Sequence, residues 1–116
     1  MNATVTFSAH ERDALVVLGY LHLEQSRPDE AAILLRPLLR ARTHDGEVQR
    51  CLALAELASG HADVAARLAA QAYTHAPAAI RTAMGLIYAK ALWLTGDESG
   101  ARDVLLKVLA QPAAHA

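Results

Sequence analysis

The chain has 116 residues and a net charge of −1 at pH 7, with 53% hydrophobic, 20% charged and 4% aromatic residues. That is one domain's length, too apolar for intrinsic disorder, and at a pI near 6.6 it lacks the basic excess that nucleic-acid binding draws on. Alanine (26) and leucine (18) supply 44 residues, while strand-forming β-branched and aromatic residues are scarce, so the expected fold class is all-α.

Ser8-Ala9-His10-Glu11 reads as a capping box, Ser at the N-cap and Glu three residues on. It opens helix α1, expected over about 8–25. Its apolar residues make two stripes, wider than one core face needs: Leu15, Leu18 and Leu21, and Val16, Tyr20 and Leu23. Pro28 in a first turn, followed by Asp29 and Glu30 at the positive end of the dipole, opens α2 over about 28–41. Pro37 falls inside that helix and removes the hydrogen bond to the Ile33 carbonyl. A kink or a split is expected there, at about 3 kcal/mol if uncompensated.

Thr43 or Asp45 caps α3, over about 45–59, and Gly60 is its left-handed stop. Helix α4 runs about 61–75, ending before Pro77. Helix α5 spans about 78–95 and stops at Gly96. Asp97 caps α6, about 98–110, which Pro112 ends. Connections this short suit antiparallel helix pairs.

The pairs repeat. Gly19, Ala53 and Ala89 hold equivalent places in α1, α3 and α5, separated by 34 and then 36 residues. Ala31, Ala65 and Ala101 do the same in α2, α4 and α6, as do Ser26, Gly60 and Gly96 in the turns. A single domain, 1–116, is expected, with repeats at roughly 12–43, 46–79 and 82–112. This pattern resembles the tetratricopeptide repeat, a 34-residue helix–turn–helix in which small residues let the paired helices approach. The resemblance implies three helix–turn–helix repeats in a short right-handed array with a concave groove; a plain alanine-rich bundle is the alternative. The departures are Leu15, Gln49 and Gly85 where the repeat carries an aromatic, and Thr43 in place of a terminal proline.

In that family the first helix of each repeat lines the concave face. The inward positions fall on Val16, Tyr20 and Leu23, on Arg50, Leu54 and Leu57, and on Leu86, Lys90 and Trp93. Seven of these nine are apolar or aromatic. They form a stripe apart from the expected seam of Leu15, Leu18, Leu52, Tyr88 and Leu92. An apolar groove edged by Arg50 and Lys90 suits an apolar peptide segment with acidic character; the competing reading is a groove closed on itself as core. The sequence after Leu109 is too short for a capping helix, so the outer face of α6, with Leu106 and Leu109, is expected to meet a partner, to self-associate, or to stay exposed.

No chemistry-bearing motif emerges. The six histidines lack metal-ligand spacing, so neither a metal nor another cofactor is expected. Asp97-Glu98-Ser99 is a cap with first-turn acids, and Gly96 to Gly100 lacks the lysine of a phosphate loop. The single cysteine, Cys51, has no second thiol to pair with and no acid–base partner placed by a motif; it reads as a buried, inert thiol in a reducing compartment. Met1–Phe7 has neither the basic nor the apolar region of an export signal, and no stretch is apolar for 18 residues.

One longer match is more specific. Residues 14–40, ALVVLGYLHLEQSRPDEAAILLRPLLR, with 50–60, RCLALAELASG, resemble the small Y-type chaperones of bacterial type III secretion injectisomes (the YscY/PscY family). The resemblance implies a cytoplasmic bacterial chaperone without enzymatic activity. It implies that the groove holds the C-terminal helical part of a small secreted X-type export component, and that the pair engages the cytosolic domain of the export-gate V protein. The charge balance and the lack of an 18-residue apolar stretch carry the expectation of no nucleic-acid partner and no membrane insertion. Alternatives are a needle-subunit or translocator chaperone of the same machinery, a generic tetratricopeptide-repeat adaptor, and, in another class, a helix–turn–helix regulator.

Overall fold

A computed structural model describes residues 6–111. Pro112, expected to end α6, and most of the Met1–Phe7 segment lie outside the described residues. Those residues form six helices: α1 Ala9–Glu24, α2 Pro28–Ala41, α3 Gly46–Ala58, α4 Ala62–His75, α5 Ala78–Leu94 and α6 Glu98–Ala110. Strands are absent among the described residues, and no helix there is long and apolar enough to cross a membrane.

The starts follow from local chemistry. Ser8 accepts from the Glu11 backbone N–H at 3.1 Å, and the Glu11 carboxylate accepts from the Ser8 N–H at 2.8 Å, so two orphan donors are satisfied reciprocally. Asp45, rather than Thr43, caps α3 by accepting from the Val48 N–H. Asp97 caps α6 by accepting from Gly100. Pro28 occupies the first turn of α2.

The turns inside each pair recur. Ser26 (φ 58°), Gly60 (φ 88°) and Gly96 (φ 93°) are all left-handed. In each turn the following N–H reaches back to a carbonyl five residues earlier: Arg27 to His22, His61 to Glu56, Asp97 to Leu92. This is the bonding of a Schellman stop, which satisfies carbonyls at the end of the first helix and starts the second at a fixed angle. Ser26 bears the cost of a positive φ that glycine meets freely at the other two turns.

Pro37 does not split α2, which runs unbroken from Pro28 to Ala41. Ile33, whose carbonyl loses its helical donor, lies on the exposed side of the helix, where water can replace that donor. Leu35 and Leu38, on either side of Pro37, are buried, and this packing keeps the helix continuous through the gap.

Each helix packs on the next in sequence, and α1 meets α3 as α3 meets α5. Three apolar clusters succeed one another along the chain. The first gathers Val16, Leu35, Leu38, Val48, Cys51 and Leu52, the second Ala53, Ala69, Ala72, Met84 and Ile87, the third Ala89, Val104 and Val108. All six small residues of the repeat pattern are buried: Gly19, Ala53 and Ala89, and Ala31, Ala65 and Ala101. A Cβ on Gly19 would crowd the Leu35 side chain at 3.1–3.2 Å, which is the close approach those positions allow.

Two departures have a local cause. Gly85 faces Val108 and Tyr73, and a Cβ there would collide with Val108 Cγ2. Gln49 is buried and its side-chain amide donates to the Thr43 carbonyl at 2.8 Å, tying down the α2–α3 loop.

Candidate functional site

The nine stripe residues do not share one environment. Val16 is 3% exposed and belongs to the first cluster, so it contributes to core rather than to an open surface. Tyr20 and Leu23 are half-buried against the same cluster, and Leu54 and Leu57 against the second. On α5 the stripe is open: Leu86 is 50% and Trp93 56% exposed, with Lys90 between them and Leu94 beside them.

Two stripe residues meet directly. Arg50 Nη2 donates to the Tyr20 hydroxyl at 2.6 Å, and its guanidinium carbon lies 6.0 Å from the Tyr20 ring centroid. The contact joins α1 to α3 across the face that carries the stripe. Tyr20 is pushed up to about 12, chiefly by burial, with Cys51 against it. Burial likewise raises the Cys51 thiol, which is wholly enclosed. Both groups are therefore neutral at ordinary pH, and Cys51 packs as a small apolar residue.

The expected seam is also redistributed. Leu18 is exposed, while Gly19 faces Leu35 of α2 and Val16 packs into the first cluster. The equivalent of Leu18 in the second repeat, Leu52, is buried in the first cluster.

Two charge clusters escaped the sequence reading. Arg36 on α2 holds the Glu56 carboxylate on α3 with two bonds, at 3.0 and 2.8 Å, and His61 Nδ1 sits 2.9 Å from the same carboxylate. Glu56 is only 3% exposed. Arg12 on α1 similarly forks onto Asp45 with two bonds of 2.9 Å and reaches Glu47 at 2.8 Å. The Arg12 guanidinium holds Asp45 below its usual range, and Asp45, Asp13 and Glu47 hold Arg12 firmly protonated. Both are long-range pairs between helices, and nothing local in the sequence announces them.

A hollow of about 940 Å³ lies between the start of α1 and the α2–α3 loop, bordered by Phe7, Arg12, Leu38, Arg42, His44 and Asp45. A smaller one, about 370 Å³, lies between the start of α3 and the α4–α5 loop. Neither contains a stripe residue. On α5, Leu86 and Trp93 form an exposed surface strip with Lys90. Among the described residues no three His, Cys, Asp or Glu side chains gather as a metal site would require. No protein-family model matches the chain, and no curated protein matches it in sequence.

Proposed function

We propose that the chain is a short tetratricopeptide-like array that shelters an amphipathic segment of another protein, in the manner of the Y-type chaperones of type III secretion. The observation that carries the reading is the open apolar strip on α5, Leu86, Trp93 and Leu94 around Lys90. A tryptophan and two leucines left in water are unfavourable for the isolated chain, and covering them is worth on the order of 25 cal/mol per Å². Tryptophan is also the residue that most often dominates an interface.

The packing supports a curved array. The odd-numbered helices touch in succession, whereas α2 does not reach α4, nor α4 α6. A stack whose odd helices are close and whose even helices are splayed bends toward the odd side. The three identical turns and the six buried small residues support the repeat reading. Tyr20 and Arg50, half-buried and bonded to each other, would extend the interface onto α1 and α3 in this reading. Lys90 then gives an acidic residue on the partner its counterpart.

The partner this reading names is a small secreted X-type component with an amphipathic helix, and the pair would go on to the export-gate V protein. The test is co-expression with an X-type protein of a type III secretion system, followed by co-purification. Leu54 packs into the second cluster, so the informative variant is Trp93→Ala with Leu86→Ala, both at exposed positions. Capture is expected to fall at least tenfold with helicity by circular dichroism unchanged. Equal capture by the variant would remove the strip from the interface. Capture of a needle or translocator subunit, with none of the X-type protein, would replace the partner.

A further inference from the structure

Equivalent positions bury differently in the first and last hairpins than in the middle one. Val48, Cys51, Leu52 and Ala55 on α3 pack into the first cluster beside Leu35 and Leu38 of α2. Their counterparts 36 residues on, Met84, Ile87, Tyr88 and Ala91, are covered as well, Met84 and Ile87 beside Ala69 and Ala72 of α4. Thirty-four residues earlier the same positions are Ala14, Val17, Leu18 and Leu21, and all four are exposed.

The other side of the junction tells the same story. Leu35 and Leu39 on α2, and Ala69 and Tyr73 on α4, are buried or half-buried in clusters that include side chains of the hairpin that follows. Their counterparts on α6, Leu105 and Leu109, are exposed, Leu109 at 79%, and so is Leu106. The chain therefore makes one hairpin-to-hairpin junction twice and presents both unmated halves of a third.

We propose that these halves mate between copies: α6 of one molecule receives α1 of the next, head to tail, continuing the stack across the junction. The occupant is a second copy because the two faces carry the register that already packs twice within the chain. Both faces are apolar, and a net charge of −1 gives copies little reason to repel. The ion pair of the first internal junction, Arg36 with Glu56, has Leu106 and His22 at its equivalent positions. The junction between copies is thus apolar, so sulfate strengthens it instead of screening it. It also uses faces other than the Trp93 strip, so the two proposals stand or fall separately.

A heterologous contact leaves one half free at each end of every oligomer, so assembly does not stop at two. The experiment measures the mass of the purified chain by sedimentation velocity over a hundredfold range of concentration. The weight-average mass is expected to climb without a plateau at the dimer. Val17→Glu with Leu21→Glu blocks one half, and Leu106→Glu with Leu109→Glu blocks the other. Each variant alone is expected to stay monomeric, and an equimolar mixture to form a dimer and nothing larger. Should a double variant lose helicity, Val17→Lys and Leu109→Lys repeat the mixing. A monomer at every concentration overturns the proposal. So does a dimer that survives Val17→Glu with Leu21→Glu, since that outcome means α6 pairs with itself or with another face.

Discussion

Glu56 is the one carboxylate in the described structure buried to 3% exposure, and it survives there because two donors meet it. Arg36 first, and His61 second, hold its carboxyl below the ordinary range against the opposing effect of burial. A carboxyl whose folded pKa is depressed stabilises the fold at pH above its unfolded value, about 4.3. That contribution fades as pH falls through the lower folded value. Arg36→Ala should therefore cost stability at neutral pH, by about 2 kcal/mol. A fully buried pair broken this way loses more, but the Arg36 side chain is 40% exposed and part of its attraction is screened by water. Urea unfolding of parent and variant should give curves that stand apart above pH 6 and converge toward pH 3. A gap that stays constant across that range would show that the loss is packing by the arginine stem rather than charge.

At the scale of the helix, local chemistry was legible and long-range pairing was not. Every helix start marked by a short motif lies where that motif put it, because a cap acts within four residues: Ser8 with Glu11, Asp45, Asp97 and Pro28. The stops at Gly60 and Gly96 were readable for the same reason. Thr43 against Asp45 was not decided locally; the Arg12 fork from α1 fixes Asp45 in its capping pose. Pro37 shows the limit from the other side. Propensity alone breaks α2 there, whereas the packing of Leu35 and Leu38 keeps it whole. The missing bond still costs something. Pro37→Ala regains a donor for the Ile33 carbonyl, and loses ring packing and some rigidity of the unfolded chain. The expected balance is a gain of about 1 kcal/mol in urea unfolding. A destabilised variant would mean that the half-buried ring packs better than the helix bonds there.

At the scale of the whole molecule, repeat phase gave the correct small residues but misassigned the first helix's faces. Leu18 and Leu52 are equivalent members of the expected seam, yet Leu52 packs in the first cluster with side chains of the preceding hairpin while Leu18 is exposed. A periodic pattern carries no mark of which repeat is first, so exposure at Val17, Leu18 and Leu21 could not be read from period alone. The same asymmetry runs through the core. The first cluster joins large side chains from three helices, Leu35, Leu38, Val48 and Leu52 among them, while the third closes on Ala89, Val104 and Val108. Where each helix pair is covered mainly by its sequence neighbours, local stability follows the local cluster. Helix α6, covered on one side only and by the smallest cluster, should open first. Amide hydrogen exchange at concentrations too low for association is expected to be fastest in α6, and slowest in α2 and α3, where the first cluster and the Arg36–Glu56 pair coincide. Protection that is equal from α1 to α6 would mean that the chain unfolds as one cooperative unit, with no gradient between its hairpins.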